Sequence, residues 1–479
     1  MTMPVEDPPV WGSEQELAPI EALMWRLDTD PRRRSTLLLV EVLDRAPAWD
    51  RLVAAHEWAS ALVPRMRDRV VEPLGALGSP VWARDPQFDL HYHVRRLRVP
   101  GAAGWSELLE LAEQVAMTPF DRARPPWEAI LVEGLPEGRA AYLFKIHHVV
   151  SDGLGMVQLM SRVHSRQREP SPQKGSPDIA AAEPDGGLLT AAVRQVRKDL
   201  SGLPAVARTG GSLLRGLRRP GQLLHDAANY AASAQRVLAQ PAASGSPLLA
   251  ARGASWRFAA LDLPFADLRV AAKAAGGTVN DAYLAALLGG FRMYHEQMGH
   301  PFPATGTMPV SVPVSVRTDA DSSGGNRFAP ARLAGPVGIV DPRDRIIEVG
   351  RLMLAARSEP ALESADHVLP LLARLPSAWT AKLAGGMTAG NDLQASNVPG
   401  IREEVFLAGA RIERAFGFAP LPGCASMITM TSHGHSCCVA ANLDAAAITD
   451  TDLFARSLEQ GFREVLALHP GAGAPRRLA

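Results

Sequence analysis

The sequence predicts an α/β or α+β protein made of two strand-and-helix blocks, and three observations carry that expectation. Short apolar runs with the two-residue alternation of strands lie beside helical stripes in both the first third and the second half of the chain. Between them the composition shifts to Pro, Ser, Gly, Gln and charge over Ser165 to Gly187, as in an exposed connection. A chain of 479 residues, 47% hydrophobic and 21% charged, is long enough to bury two substantial cores. The expected division is residues 1–165, a linker and basic helical segment at 166–250, and 251–479.

In chain order, Thr36 to Val42 reads as a strand and Ser106 to Met117 as a helix that stops before Pro119. Arg139 to Ile146 reads as a buried strand, with Tyr142, Phe144 and Ile146 on one face and Ala141, Leu143 and Lys145 on the other. Gly153 and Gly155 permit a sharp exit from that strand, and Leu154, Val157, Met160 and Val163 continue as a helical stripe. Leu188 to Leu238 carries helical patterns in which Arg194, Arg197, Lys198, Arg208, Arg215, Arg218 and Arg219 stand on a background of Leu, Ala and Val. A solvated face and a contact with a membrane or lipid droplet both suit that pattern.

The second block starts near Trp256. Thr278-x-x-Asp281, after Gly276-Gly277, is a capping-box pattern opening a helix with Tyr283, Leu287 and Phe291 on one face. Ser396-Asn397-Val398-Pro399-Gly400 reads as a strand end followed by a turn. Ala415 to Leu443, free of Asp, Glu, Lys and Arg, is long enough for a membrane span. Pro420, Pro422, Gly423 and Ser432 to His435 interrupt it, so loop, strand, turn, strand is the better expectation. A helix around Asp452 to Leu468 closes the chain.

Composition also excludes. A formal net charge of +0 supplies no field to hold nucleic acid, so no nucleic-acid partner is expected. Three cysteines build no disulfide framework, and Met1 to Pro9 lacks the regions of a signal peptide, which makes a reducing, cytoplasmic setting the default. His433-Gly434-His435-Ser436-Cys437-Cys438 crowds its ligand atoms into one short turn without a second cluster; a hairpin tip is expected and no metal. Neither a G-x-S-x-G elbow nor a Walker-type loop occurs, which removes a hydrolase-like serine and an ATP-driven mechanism.

The chemistry concentrates at His147-His148-Val149-Val150-Ser151-Asp152-Gly153. Adjacent residues of a strand point to opposite faces, so His147 and His148 should not share a role. Imidazole titrates near neutrality and suits general-base work, while a carboxylate four residues on can fix local geometry or a tautomer.

His147-His148-x-x-x-Asp152-Gly153 matches the HHxxxDG motif of the chloramphenicol-acetyltransferase-like superfamily, and the chain resembles its bacterial wax ester synthase/diacylglycerol acyltransferase branch. Phe120 to Glu128, Thr278-Val279-Asn280-Asp281, Pro313 to Arg317, Gly325-Asn326 and Ser396 to Gly400 stand in that family's order. The resemblance implies two chloramphenicol-acetyltransferase-like lobes joined by a crossover, with a tunnel between them that acyl-CoA and a lipid alcohol enter from opposite sides. It implies His148 as the base and Asp152 as a structural residue held by an ion pair. It further places Asn280 near the active site and Ser396 and Asn397 near the tunnel, while Trp127 suits a tunnel wall and core packing equally. Acyl-CoA is then a substrate and no cofactor is called for, and peripheral contact with the inner membrane or lipid droplets is expected. Pro125-Pro126-Trp127 stands where the family has Pro-Leu-Trp, and Asp30 to Thr36 replaces a segment rich in Pro, Met and His; both bear on substrate preference. Two other readings stay open: an acyl donor carried on a carrier protein, and a non-catalytic lipid-binding protein that retains the fold.

Overall fold

Thr36–Leu43 is buried along its whole length, and the first lobe is organised around it. The computed structural model describes residues 16–72, 80–99, 104–170, 243–315, 328–357, 390–421 and 423–478. The first part of the chain gives α1 (Pro19–Leu27), β1 (Thr36–Leu43), α2 (Trp49–Leu62), β2 (Asp68–Val71), β3 (Val81–Arg84), α3 (Leu90–His93), β4 (Val94–Arg98), α4 (Trp105–Met117), β5 (Trp127–Glu133), β6 (Ala140–His147) and α5 (Gly153–Val163). The second gives β7 (Trp256–Pro264), α6 (Phe265–Ala274), α7 (Val279–Gln297), β8 (Met308–Ser315), β9 (Phe328–Gly335), α8 (Pro342–Arg357), β10 (Leu393–Val398), β11 (Phe406–Leu407), β12 (Ala410–Phe418), β13 (Ser426–His433), β14 (Ser436–Asp444), α9 (Thr451–Leu466) and β15 (Arg476–Arg477).

Among the described residues these strands form a six-stranded sheet in the order β11-β12-β1-β6-β5-β4, a seven-stranded sheet in the order β15-β7-β14-β13-β10-β8-β9, and the small β2-β3 pair. β1 runs antiparallel to β6 on one side, with Thr36 opposite His147, and to β12 on the other, with Leu38 opposite Phe418. The crossover is thus made by residues 406–418, which leave the second lobe and complete the first lobe's sheet. Chain position alone does not show this, and the 251–479 segment is not one lobe. β12 reaches Phe418, so Ala415 to Phe418 is strand and not loop. The charged start of β12 conceals it: Arg414 pairs with Asp262 of β7 at 3.0 Å, while Phe416 and Phe418 turn into the core.

Each sheet carries its own apolar cluster, one with Trp25, Trp127, Phe144 and Phe416, the other with Tyr283, Phe291, Phe454 and Phe462. In the second, α7 and α9 cross closely enough that a Cβ on Gly461 would stand 2.3 Å from the Ala286 carbonyl, so only glycine fits there. β13 and β14 join through a tight turn at Gly434, which has φ near +55°. The crowded His-Cys segment is therefore a hairpin tip. The α7 capping box forms as read: Asp281 Oδ2 accepts the Thr278 N–H at 2.8 Å and Thr278 Oγ1 accepts the Asp281 N–H at 3.3 Å. Among the described residues no helix is long and apolar enough to cross a membrane. The basic segment Arg194 to Arg219, Val316-Arg317 and Gly325-Asn326 lie outside the described residues.

Candidate active site

Between the two sheets lies a cavity of about 370 Å³ whose walls come from both lobes: β1, α5 and β12 on one side, β10 and β13 on the other. At the end of β6 the chain turns on a hydrogen bond from the Val150 N–H to the His147 carbonyl, 2.9 Å, and Asp152 then caps α5 by accepting the Gly155 N–H on Oδ1 at 2.8 Å. This strand, turn and cap place His148, Asp152 and Gly153 on the cavity wall. The His148 N–H donates to the Ser35 carbonyl at 2.8 Å, which fixes its backbone to the chain entering β1.

His147 takes the opposite side. It is fully buried, edge-on to Trp25 at 5.1 Å and to Phe120 at 5.9 Å. Its Nδ1 accepts the Val149 N–H at 3.1 Å, which leaves the proton on Nε2, 3.4 Å from Asp28 Oδ1. Asp28 Oδ1 also accepts the Ser35 N–H at 2.8 Å. One carboxylate therefore holds both His147 and, through Ser35, the backbone of His148. Burial alone would raise the Asp28 pKa, but the neighbouring His147 imidazole, the Ser35 N–H and Arg122 together hold it below its ordinary value.

The sign of the resulting pH effect follows. A depressed carboxyl contributes stability that is present above its unfolded value, near 3.8, and is lost as pH falls through the folded value. Asp28→Asn is expected to melt below wild type at neutral pH, with the gap closing under acid conditions. A gap that stays constant across the acid range would show that charge plays no part.

The carbonyls of the motif turn have their own anchor. Buried Arg65 places Nη1 3.3 Å from the Val149 carbonyl, 3.4 Å from that of Val150 and 3.4 Å from Glu21 Oε1. Asp152 caps α5, which helps to set its position in the motif turn. Losing the cap in Asp152→Ala is expected to cost about 1 kcal/mol, whereas Asn, an equally good cap, should keep that contribution. Urea unfolding of both variants checks this, and equal losses would refute the cap as the reason. Gly153 has a further role: a Cβ there would stand 3.2 Å from Val398 Cγ2, so its absence lets the start of α5 press against β10 of the other lobe.

Of the other residues singled out from sequence, Ser396 and Asn397 lie on β10 and line the same cavity. Trp127 does not, and of its two readings core packing is the one found: fully buried, its indole stacks on His93 at 4.5 Å and donates Nε1–H to the Met66 carbonyl at 2.7 Å. Asn280 and Asp281 are also absent from the cavity wall, because they form the first turn of α7, where Asp281 serves the capping box. Three titratable wall residues were not anticipated: Glu41, His164 and His433. Glu41 was legible as a lone acid inside the apolar run of β1, and His164 as the residue ending the α5 stripe. His433 is engaged through Nε2 with the Ile412 carbonyl at 3.0 Å, and burial pushes the Cys437 and Cys438 thiols up to about 12, which makes them poor thiolate donors.

Residues 17–283 match the wax ester synthase/diacylglycerol acyltransferase catalytic domain, and residues 324–465 match the WS/DGAT C-terminal domain. A Mycobacterium tuberculosis protein named as a candidate diacylglycerol O-acyltransferase is 41% identical over 472 residues, covering 97% of this chain and 94% of its own. The wax ester synthase/diacylglycerol acyltransferase of Marinobacter aquaeolei VT8 superposes with a TM-score of 0.63 at 21% identity, over 94% of this chain and 98% of that one. The first condensation domain of the CDA synthetase shares the fold with a TM-score of 0.56 at 17% identity, over 97% and 98% of the two chains.

Proposed function

Because this chain belongs to the wax ester synthase/diacylglycerol acyltransferase family, we propose that it moves a fatty acyl group from acyl-CoA to a lipid alcohol, diacylglycerol or a long-chain fatty alcohol, giving triacylglycerol or wax ester. The observation that carries this reading is the half-buried His148 on the wall of a largely apolar cavity shared by the lobes, with its backbone fixed by Ser35. An apolar cavity suits an acyl chain, and an imidazole in its wall suits the hydroxyl that must be deprotonated.

In this mechanism neutral His148 accepts the hydroxyl proton as the oxygen attacks the thioester carbonyl. The tetrahedral intermediate collapses with cleavage of the C–S bond, and the imidazolium returns the proton to the departing CoA thiolate. No acyl-enzyme forms, and Asp152 shapes the motif turn without handling the proton. The test is a panel of long-chain alcohols and diacylglycerol with one acyl-CoA, following thiol release and product mass. Thiol release that depends on the alcohol, with ester of matching mass, supports the reading; CoA release without ester, or none with any alcohol, rejects it.

We further propose that the basic segment holds the enzyme at an anionic lipid surface, where its substrates reside. Each Lys or Arg near such a surface contributes about 1 kcal/mol. Changing Arg215, Arg218 and Arg219 to Gln is expected to weaken flotation with anionic liposomes while sparing turnover of a short, water-soluble alcohol. Unchanged flotation would leave the segment as a solvated face.

A further inference from the structure

The cavity contains a second polar station. Glu41 of β1 and His164, which follows the last residue of α5, both line it, and both are buried. His164 Nε2 stands 3.1 Å from Glu41 Oε2. Around them the wall is apolar, with Leu39, Met156 and Met160. Buried polar groups in such a wall are stable only if their hydrogen-bonding capacity is used, and here it is not all used. Among the described residues Glu41 accepts that one bond, although a carboxylate offers about four acceptor sites. His164 Nδ1 has no partner among them.

The neighbouring polar groups are already committed. Tyr142 faces Glu41 across β1 and β6, but its hydroxyl lies 2.6 Å from His56 Nε2. His56 Nδ1 is 2.8 Å from the Leu52 carbonyl and donates to it, so Nε2 is the acceptor and the Tyr142 proton goes there. Burial pushes the His56 pKa down to about 4, in keeping with a neutral ring.

His148 stands before the N-terminus of α5 and His164 just beyond its C-terminus, and eleven helical residues rise about 16 Å. The two stations therefore sit toward opposite ends of one apolar wall. We infer that the Glu41–His164 pair is a specificity-determining site that receives a hydroxyl carried at the end of a long-chain substrate remote from the reacting carbon. The hydroxyl donates to the unfilled carboxylate capacity of Glu41. A plain methyl end brought to the same place shields the carboxylate from water and returns no hydrogen bond, so the site discriminates against it. The hydroxyl has two possible carriers, the alcohol acceptor or the acyl donor.

This inference rests on the acyltransferase reading, so its test includes a readout that needs no turnover. With the full chain, kcat/KM is measured for a long-chain α,ω-diol against the matching primary alcohol, and for an ω-hydroxyacyl-CoA against its unsubstituted counterpart. Calorimetry measures binding of the same pairs. A hydrogen bond to a charged group corresponds to a preference of roughly 10- to 100-fold for the hydroxylated member, and the arm that shows it identifies the carrier. In Glu41→Met/His164→Leu the preference should fall to near one. Replacing both members of a buried pair by apolar residues is often neutral for folding, and a melting curve confirms it. Equal handling of hydroxylated and plain members in both arms by the wild type, or a preference that survives in the double variant, overturns the inference. A preference in binding without acyl transfer upholds the site and rejects the acyltransferase reading instead.

Discussion

His148→Ala is expected to lower kcat about 10²- to 10⁴-fold, the usual contribution of a positioned base. The hydrogen bond that fixes residue 148 to the Ser35 carbonyl belongs to the backbone and survives the substitution, so the motif turn keeps its anchor. Only neutral imidazole accepts a proton, so the acid limb of the wild-type kcat/KM profile should disappear in the variant. His147→Ala is the contrasting case. Its ring is packed against Trp25 and Phe120 and faces Asp28, so its loss should appear as reduced soluble yield more than as reduced turnover per folded molecule. Wild-type turnover by correctly folded His148→Ala protein would end the mechanism proposed above.

How much of this was legible in the sequence differs between motif and wall. Alternation along Ala140–His147 assigned the two histidines different sides, but β6 ends at His147, and it is the turn beginning at His148 that directs the second ring to the cavity. Glycines and a capping residue after the strand were enough to place Asp152 and Gly153 at a helix start. The wall is different, since it is assembled by pairing between distant segments. Nothing local in Ala410–Phe418 shows that it pairs with Thr36–Leu43, yet that pairing puts Ala415 and Gly417 beside the Leu39 and Glu41 side of the cavity. Trp127 illustrates the converse: the sequence left tunnel wall and core equally open, and stacking on His93 and a bond to Met66 decide for the core. Thr278-x-x-Asp281 likewise carries a local helix-start signal, and Asp281 serves it in the capping box.

The largest stability loss is expected at Arg65, which no motif marks. Its guanidinium is buried and joins three acceptors: the carbonyls of Val149 and Val150 and the carboxylate of Glu21. Arg65→Met fills much of the same volume but removes the cation paired with Glu21 Oε1 and withdraws a donor from two carbonyls of the motif turn. Breaking one side of a buried ion pair typically costs about 3 to 5 kcal/mol, far more than a surface substitution. Glu21 has a second duty, accepting the Ala18 N–H on Oε2 at 2.9 Å at the start of α1, and a Gln at 21 keeps an oxygen for it. Arg65→Met/Glu21→Gln should therefore recover part of the loss, because Gln does not need the Arg65 cation and retains the cap. The double-mutant cycle, read from urea midpoints at constant m-value, isolates the coupling between the two side chains. Recovery of stability need not restore turnover, because the Val149 and Val150 carbonyls still lack their donor and His148 sits one residue before them. A single variant as stable as wild type, or a double variant no more stable than the single, would show that the motif turn is held by packing and not by Arg65.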